Sequence, residues 1–221
     1  MKLLLIDTCS AAGTIALTDA TGISARHTLA ERSAAADLLP AIRTLLEDKQ
    51  IVLNDLDAIV VVHGPGSFTG VRIGVSAAKG LSEGAGKPLI AISRLAVLAS
   101  LCPSERVHPV LDAGRGEFYV GTYRGMECLR EAMLTQGELQ SLIAEAPGVI
   151  CVCEPRMAEA LHELSPCVVA EPVAADVYAL GCAAFTAKAF SDVAALDGNY
   201  LRRADVEMLE KQRAALAAKA K

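Results

Sequence analysis

Short apolar runs, each closed by glycine, aspartate, threonine or serine, recur along the first half of the sequence. Runs of this kind are typical of buried β-strands. They predict five strands, over residues 2–7, 13–20, 22–30, 56–64 and 87–93. The dipeptide Thr21-Gly22 is a tight-hairpin signal between the second and third strands. The chain is therefore expected to open with three antiparallel strands.

Between these strands the apolar positions follow the helical period of three and four residues, which predicts helices over 33–49, 69–84 and 94–102. Ser33 is available to cap the first helix. Pro40 lies inside it, and because proline removes a backbone hydrogen bond, the helix either begins close to Pro40 or is kinked there. One stripe of this helix is apolar and comprises Leu38, Leu39, Ile42, Leu45 and Leu46.

After Pro103 the same succession of elements begins again. Three strands are predicted over 106–113, 116–124 and 126–134, followed by a helix over 135–146 with Thr135 as its cap. The remaining elements are a strand over 148–154, a helix over 156–164, a strand over 167–170 and a helix over 174–190. The repetition predicts an α/β protein with two related halves, each a mixed sheet flanked by helices. We expect the domains to be residues 1–103 and 104–221, with the last helix packed back on the first domain.

The stretch HGPGSFTGVRIG, residues 63–74, places four glycines and a proline ahead of a predicted helix. Its spacing does not fit a Walker-type phosphate loop, since no Lys-Ser or Lys-Thr pair follows the second glycine. It does not fit the dinucleotide fingerprint either, because Gly64, Gly66 and Gly70 are spaced wrongly. The general capacity of a helix N-terminus to accept an anion remains.

The competing interpretation is a close approach between helices. Small residues recur every three or four positions along the helix, at Gly70, Gly74, Ala77, Ala78 and Ala85. A glycine inside a helix costs about 1 kcal/mol relative to alanine, and close packing is a reason to tolerate that cost. We therefore predict a partner-docking surface on the first two helices, with Arg72 as a polar contact. Its predicted residues are Leu38, Leu39, Ile42, Leu46, Gly70, Val71, Arg72, Gly74, Val75 and Ala78.

Composition disfavours several functions. The net charge of −5, a pI near 5.4, the absence of tryptophan and an aromatic content of 4% weigh against direct, tight RNA binding. The chain is 52% hydrophobic with a mean hydropathy of +0.37, yet no apolar run reaches membrane length. The apolar run at the start ends at Asp7 and is too short for a signal peptide, so a cytoplasmic location is expected. Residues 200–221 predict a helix with a solvated face and a basic end.

No metal or catalytic motif stands out. The seven cysteines are scattered and form no Cys-x-x-Cys pair, which favours reduced thiols packed as small apolar groups. The four histidines are isolated, so no two imidazoles share a helix face. Ser67 lacks the Gly-x-Ser-x-Gly frame of a nucleophile elbow. The sequence predicts no catalytic residue, no metal site and no cofactor.

Several stretches together carry a resemblance to a known family. They are LLLIDTCSAAGTIAL, LLPAIRTLL, HGPGSFTGVRIG, LDAGRGEFYVGTY and NYLRRADVE. In these, the chain resembles the tRNA threonylcarbamoyladenosine biosynthesis protein family TsaB, formerly called YeaZ. The resemblance covers nearly the whole chain and implies an actin-like fold, of the sugar-kinase, Hsp70 and actin type, with two related halves.

The resemblance also implies a function. Members of this family pair with the transferase TsaD, which moves a threonylcarbamoyl group from its adenylate to the adenosine beside the anticodon of tRNAs that read codons beginning with A. It implies that the chain is a non-catalytic partner of that transferase, meets a TsaE-type ATPase through the complex, and forms a homodimer in isolation.

Two residue patterns bear on catalysis by the chain itself. The related transferase holds a metal with a His-x-x-x-His pair, which this sequence lacks. Actin-like ATPases have an Asp-x-Gly turn after the first strand, whereas this chain has Asp7-Thr8-Cys9. The alternative function is an ATP-dependent phosphotransferase or a peptidase-like enzyme of the same superfamily. The chain departs from the expected family pattern at Ala34-Ala35 and at Gly114, where a His-Ser pair and an arginine are usual.

Overall fold

The computed structural model describes residues 1–201. The first sheet contains β1 (Leu3–Asp7), β2 (Ala12–Asp19), β3 (Gly22–Glu31), β4 (Ala58–Val62) and β5 (Leu89–Ile92) in the order β3-β2-β1-β4-β5. β1, β2 and β3 are antiparallel neighbours, while β4 and β5 run parallel to β1. Strands β1 and β4 are buried along their whole length, which explains their uninterrupted apolar sequences.

Three helices accompany this sheet: α1 (Ala34–Asp48), α2 (Phe68–Ala85) and α3 (Arg94–Ser100). α1 continues through Pro40 rather than beginning near it. Ser33 precedes α1, but its hydroxyl donates to the carbonyl of Ala30 at 3.0 Å and makes no capping bond. α1 and α2 lie side by side, and their apolar faces pack on the sheet.

The second sheet repeats the first. Its strands are β6 (Arg106–Gly114), β7 (Glu117–Arg124), β8 (Glu127–Thr135), β9 (Val149–Val152) and β10 (Cys167–Val168), in the order β10-β9-β6-β7-β8. Again the first three strands are antiparallel and the last two run parallel to the first of them. The same order and directions in both sheets confirm the predicted actin-like fold with two related halves.

The helices of the second half are α4 (Gln136–Glu145), α5 (Pro155–Ala160) and α6 (Tyr178–Thr186). Two of them are shorter than predicted. The segment 156–164 forms α5 and then one 3-10 turn, His162–Leu164, because Ser165 follows in a left-handed conformation. The segment 174–190 begins with a 3-10 turn, Ala174–Val177, and ends at Thr186.

Each sheet receives a segment from the other half of the sequence. α3 packs on β6 and β7, where Leu95 and Leu98 join a core with Val107 and Cys151. In return, the segment around Ala174 joins the core of the first sheet, and its backbone N–H donates to Thr14 Oγ1 at 2.8 Å. The division into domains 1–103 and 104–221 stays a prediction.

Residues 191–200, close to the end of the described part of the chain, form a strap along the edge of α2. Lys79 Nζ donates to the carbonyls of Ala194 and Leu196 at 3.2 and 3.0 Å. At its end, the Asn199 N–H donates to the carbonyl of His63 at 2.6 Å. From residue 202 on, the predicted C-terminal helix lies outside the described residues.

A carboxylate joins this strap to both halves. Glu131 on β8 accepts hydrogen bonds from the hydroxyls of Ser93 and Tyr123, and from Asn199 Nδ2 at 2.7 Å. Burial is the main cause, and the charge of Glu131 the second, that raise the pKa of Tyr123 well above its usual value. The phenol therefore stays protonated and can donate its hydrogen bond to Glu131. Within residues 1–201, no helix combines the length and apolarity needed to cross a membrane.

Candidate partner-docking surface

The glycine-rich stretch is the entry to α2. The chain passes through a cis peptide between Gly64 and Pro65 and then enters the helix after Ser67. The Ser67 hydroxyl accepts the N–H of Gly70 at 3.2 Å, as expected of a helix N-cap. At the other end, Gly86 closes the helix in the left-handed conformation at φ 61°, which glycine adopts readily.

The two glycines inside the first turns of α2 receive the chain's own backbone. A Cβ on Gly70 would lie 1.9 Å from the carbonyl oxygen of Thr8, and one on Gly74 would lie 2.2 Å from Thr8 Oγ1. The hydroxyl of Thr8 donates to the carbonyl of Gly70 at 2.6 Å. The prediction that a neighbouring protein approaches at these glycines is therefore corrected: the turn after β1 fills that place.

The same correction applies to most of the predicted docking residues. Leu39 is 54% exposed and Arg72 is exposed as well. The other eight are buried in the chain's own core: Leu38, Ile42, Leu46, Gly70, Val71, Gly74, Val75 and Ala78. The apolar stripe thus marks the face that packs on the home sheet, and the outer face of the same helices carries the candidate docking residues.

The outer face of α2 has its own stripe of small residues. Ser76, Gly80 and Gly84 are exposed and Ala77 is half-buried, at spacings of three and four residues. A Cβ at Gly80 or Gly84 would meet no atom within 4 Å. Within residues 1–201 nothing requires glycine at these positions, although each glycine costs about 1 kcal/mol relative to alanine. Close packing of a helix from another protein against this face would explain why these positions are glycine.

α1 provides apolar surface beside this stripe. Leu39 of α1 and Val52 of the segment that follows α1 are 54% and 61% exposed, and both line one groove, so they form a shared apolar surface. A groove of about 630 Å³ runs from Leu39 to Leu81 of α2. We define the docking face as the exposed or half-buried residues Leu39, Ile73, Ser76, Ala77, Gly80 and Gly84.

A charged and aromatic cluster lies at the start of α2. The guanidinium carbon of Arg72 is 3.7 Å from the centre of the Phe68 ring, and Arg72 Nε donates to the hydroxyl of Tyr200 at 3.1 Å. Phe68 is half exposed. These two contacts fix the Arg72 side chain while leaving it at the surface, where an arginine can meet a carboxylate of another protein.

The cleft at the carboxyl ends of β1 and β4 is where an α/β sheet of this order usually takes a ligand, because the strand order reverses there. Here Arg94, 4% exposed, fills the place. Its Nη2 donates to Ser10 Oγ at 2.7 Å and to Glu171 Oε1 at 2.9 Å, and its Nη1 to the carbonyl of Cys9 at 3.4 Å. The guanidinium thus holds the turn after β1 from one side, and Thr8 and Ser10 of the same turn line a cavity of about 480 Å³ together with Ser67 and Gly70.

Asp7, at the end of β1, faces this guanidinium. One carboxylate oxygen accepts the N–H of Cys9 at 2.8 Å, and the other is buried without a hydrogen-bond partner. Burial raises the pKa of Asp7 above its usual value, while the positive charge of Arg94 acts in the opposite direction. Among residues 1–201 no three side chains of histidine, cysteine, aspartate or glutamate are grouped to hold a metal.

Similarity to known proteins covers most of the chain. Residues 22–218 match the family described as TsaD: tRNA N6-adenosine threonylcarbamoyltransferase. The tRNA threonylcarbamoyladenosine biosynthesis protein TsaB of Escherichia coli is 36% identical over 128 residues, and that of Bacillus subtilis is 36% identical over 137 residues. The chain belongs to the TsaB branch of this family.

The matched region spans 55% of the E. coli TsaB protein and 60% of the B. subtilis one, corresponding to 56% and 61% of this chain. A solved structure extends the TsaB likeness to the whole fold. YeaZ from Pseudomonas aeruginosa superimposes with a TM-score of 0.76 at 29% identity, over 90% of this chain and 99% of that one.

The sequence pattern drew attention to α1 and α2, but the residues that it singled out lie mostly on the buried faces of these helices. Phe68 and Tyr200, which hold Arg72, were missed because they lie far apart in sequence and meet only through the strap. The sequence did contain one signal for the outer face: Gly80 lies in the middle of the predicted helix but does not belong to the stripe of small residues that packs inward. Arg94 carried no signal, since its neighbours in the cleft come from both halves.

Proposed function

We propose that the chain is a non-catalytic partner of a tRNA N6-adenosine threonylcarbamoyltransferase, which it binds through the docking face. In this role it supports threonylcarbamoylation of the adenosine beside the anticodon in tRNAs that read codons beginning with A. The observation that carries the proposal is the outer face of α2, where Gly80 and Gly84 have open surroundings and Leu81 shares a groove with the exposed Leu39 of α1.

Two further observations support this partner. The chain matches the family that describes the transferase, so a transferase is expected to carry helices equivalent to α1 and α2. Two such pairs can pack face to face at close distance when small residues line the contact. Arg72 lies at the start of α2, where it can add a charge-assisted hydrogen bond to a carboxylate of the transferase.

A non-catalytic role has positive support in the cleft. The turn after β1 carries Cys9 where an actin-like ATPase is expected to have glycine, and the carbonyl of Cys9 and the hydroxyl of Ser10 accept hydrogen bonds from the buried guanidinium of Arg94. The sequence also lacks the His-x-x-x-His pair expected of the transferase. A phosphotransferase or peptidase-like activity is not favoured, since the relatives from E. coli and B. subtilis, each 36% identical, are named as biosynthesis proteins of threonylcarbamoyladenosine.

The same face is expected to pair with a second copy of the chain when no transferase is present. An exposed apolar surface of this kind is rarely left open to water. Contact with a TsaE-type ATPase through the complex stays a prediction from the family resemblance. Because the net charge of −5 disfavours contact with the phosphates of tRNA, we expect the transferase, and not this chain, to bind tRNA tightly.

Reconstitution tests the proposal. The transferase mixed with the wild-type chain, tRNA and the threonylcarbamoyl adenylate should modify tRNA, whereas this chain without the transferase should not. Leu39→Glu places a charge in the docking face and should weaken the complex by about 2 kcal/mol or more, which is more than tenfold.

The matched control is Leu129→Glu, because Leu129 is similarly exposed, at 46%, but lies on β8 of the other half. It should bind and support modification like the wild-type chain. Modification of tRNA by the chain alone would refute the non-catalytic role. Equal binding by the Leu39→Glu and wild-type chains would refute the docking face.

A further inference from the structure

A cavity of about 420 Å³ is lined by both halves of the chain and contains the carboxylate of Glu131 in its wall. The first half contributes His63, the end of β5 and the start of α3, and the second half contributes the β7–β8 hairpin, α6 and Asn199 of the strap. This volume is in the range of pockets that hold small organic molecules. The cavity shares no lining residue with the docking face or with the cleft contacts of Arg94 described above.

Glu131 brings a negative charge to this wall without a cation beside it. Its two oxygens accept three hydrogen bonds, from the hydroxyls of Ser93 and Tyr123 and from Asn199 Nδ2. Among residues 1–201, no lysine or arginine lines the cavity and none forms an ion pair with Glu131. Because a carboxylate has about four positions that accept hydrogen bonds, Oε2 can take one more. A positively charged donor is the group that such an oxygen binds most strongly.

The groups that hold Glu131 present oxygen lone pairs to the rest of the cavity. The Tyr123 hydroxyl gives its hydrogen to the carboxylate, so its oxygen is left as an acceptor. Asn199 turns its NH2 group towards Glu131 at 2.7 Å, and its Oδ1 accepts no hydrogen bond from the part of the chain that the structure describes. The carboxylate thus uses up the donors around it, and acceptors remain.

His63 adds another acceptor. Its Nδ1 lies 3.4 Å from the carbonyl of Asp197, which can only accept, so Nδ1 carries the hydrogen and Nε2 has a free lone pair. Burial lowers the pKa of His63 below its usual value, although the Asp197 carbonyl and the charge of Glu131 act in the opposite direction. The imidazole is therefore neutral near pH 7 and keeps this lone pair.

The remaining wall is apolar and is made mostly of small side chains. It comprises Ala91, Ile92, Ala96, Leu180, Ala183 and Ala184, with the exposed Met126 and Cys128 on the hairpin. Such a surface favours the hydrocarbon part of a ligand, because burial of apolar area is stabilising. The cavity therefore combines one negative charge, several acceptors and an apolar lining.

We propose that this cavity binds a small primary amine, whose ammonium group donates to Glu131 Oε2 and to the neighbouring acceptors while its hydrocarbon part packs on the apolar wall. An ammonium group has three N–H donors and no acceptor, which complements a carboxylate surrounded by lone pairs. A carboxylate or phosphate ligand would be repelled by Glu131. The proposal is independent of the function proposed above.

Phenethylamine is the probe, and 2-phenylethanol and phenylacetate present a neutral and a negative group on a similar skeleton. Isothermal titration calorimetry with the full chain measures their affinities. The amine should bind about tenfold or more tightly than the alcohol, and phenylacetate should not bind. Glu131→Gln removes the charge at constant size, and Asn199 can turn its amide to accept from the new NH2 group. This variant should lose about tenfold or more in affinity for the amine.

A second substitution tests the cavity without touching the carboxylate. Ala183 is an exposed residue of α6 that lines the cavity, so Ala183→Leu should fill part of the space and weaken binding of the amine. Ala179→Leu is the matched control, because Ala179 is exposed one helical turn earlier on α6 and does not line the cavity. It should bind like the wild-type chain.

Circular dichroism establishes that each variant is folded, and if Glu131→Gln is not, the comparison of Ala183→Leu with Ala179→Leu decides. The proposal is overturned if the wild-type chain shows no saturable binding of phenethylamine in the millimolar range. It is also overturned if the alcohol binds as tightly as the amine, or if neither Glu131→Gln nor Ala183→Leu weakens binding of the amine.

Discussion

Replacing Gly80 with leucine should stabilise the isolated chain and at the same time disrupt its complex with the transferase. Among residues 1–201 no atom lies close enough to obstruct a side chain at this position, so the substitution adds about 1 kcal/mol of helix propensity. The midpoint of thermal unfolding should rise by about 2 to 4 °C. In a close helix contact, the same side chain fills space that the partner's backbone needs.

Overpacking of such a contact costs about 1 to 3 kcal/mol, which corresponds to a loss of affinity of about fivefold to 150-fold. Calorimetric unfolding and titration of the transferase measure the two effects. Gly137→Leu is the matched control, since Gly137 is an exposed glycine of α4 with equally open surroundings. It should not weaken binding. A Gly80→Leu chain that binds like the wild type would show that no helix approaches there.

Replacing Arg94 with methionine should destabilise the chain by about 3 to 5 kcal/mol, because it leaves the buried carboxylate of Asp7 without its positive neighbour. For a chain of this size the loss lowers the thermal midpoint by about 10 °C. Methionine retains the apolar stem of arginine, so the change isolates the charge and its hydrogen bonds to Ser10 and Glu171.

The loss of folding stability in the Arg94→Met chain should depend on pH. Burial already raises the pKa of Asp7, and removing Arg94 raises it further, since that charge acts to lower it. A carboxyl group that binds its proton more tightly in the folded state supports stability in acid and loses that contribution as the pH rises from its unfolded pKa. The variant should therefore be closest to the wild type in mild acid and least stable near neutral pH.

Asp7→Asn provides the control for this interpretation. Added to the Arg94→Met chain, it removes the buried negative charge and should recover part of the lost stability near neutral pH. Denaturant unfolding at several pH values measures both effects. A loss that does not vary with pH, and that Asp7→Asn leaves unchanged, would show that Arg94 acts only through packing.

Much of the fold follows from the sequence because both sheets use one pattern. The fully buried strands β1 and β4 are uninterrupted apolar runs, and the hairpin dipeptide Thr21-Gly22 fixes the antiparallel partner. The repetition after Pro103 then gives the second sheet. Helix ends were less predictable, because the ends of α5 and α6 depend on local backbone turns and not on the apolar period.

The spacing of the α2 glycines could not predict whether they face the interior of the chain or its surface. A stripe of small residues predicts a close approach, but it is equally compatible with a neighbouring protein and with the chain's own turn. Gly70 and Gly74 face Thr8, more than sixty positions earlier in the sequence, as the hydrogen bond from Thr8 to Gly70 shows. Only the fold separates this inward stripe from the outward one at Gly80.

Hydrogen exchange of the chain, alone and with the transferase, tests the central claim most directly. If the outer faces of α1 and α2 bind the transferase, the amides of residues 35–47 and 73–84 should exchange more slowly in the complex, while those of β8 stay unchanged. Slower exchange confined to the second sheet, or no change in α1 and α2 when the complex has formed, would contradict the account.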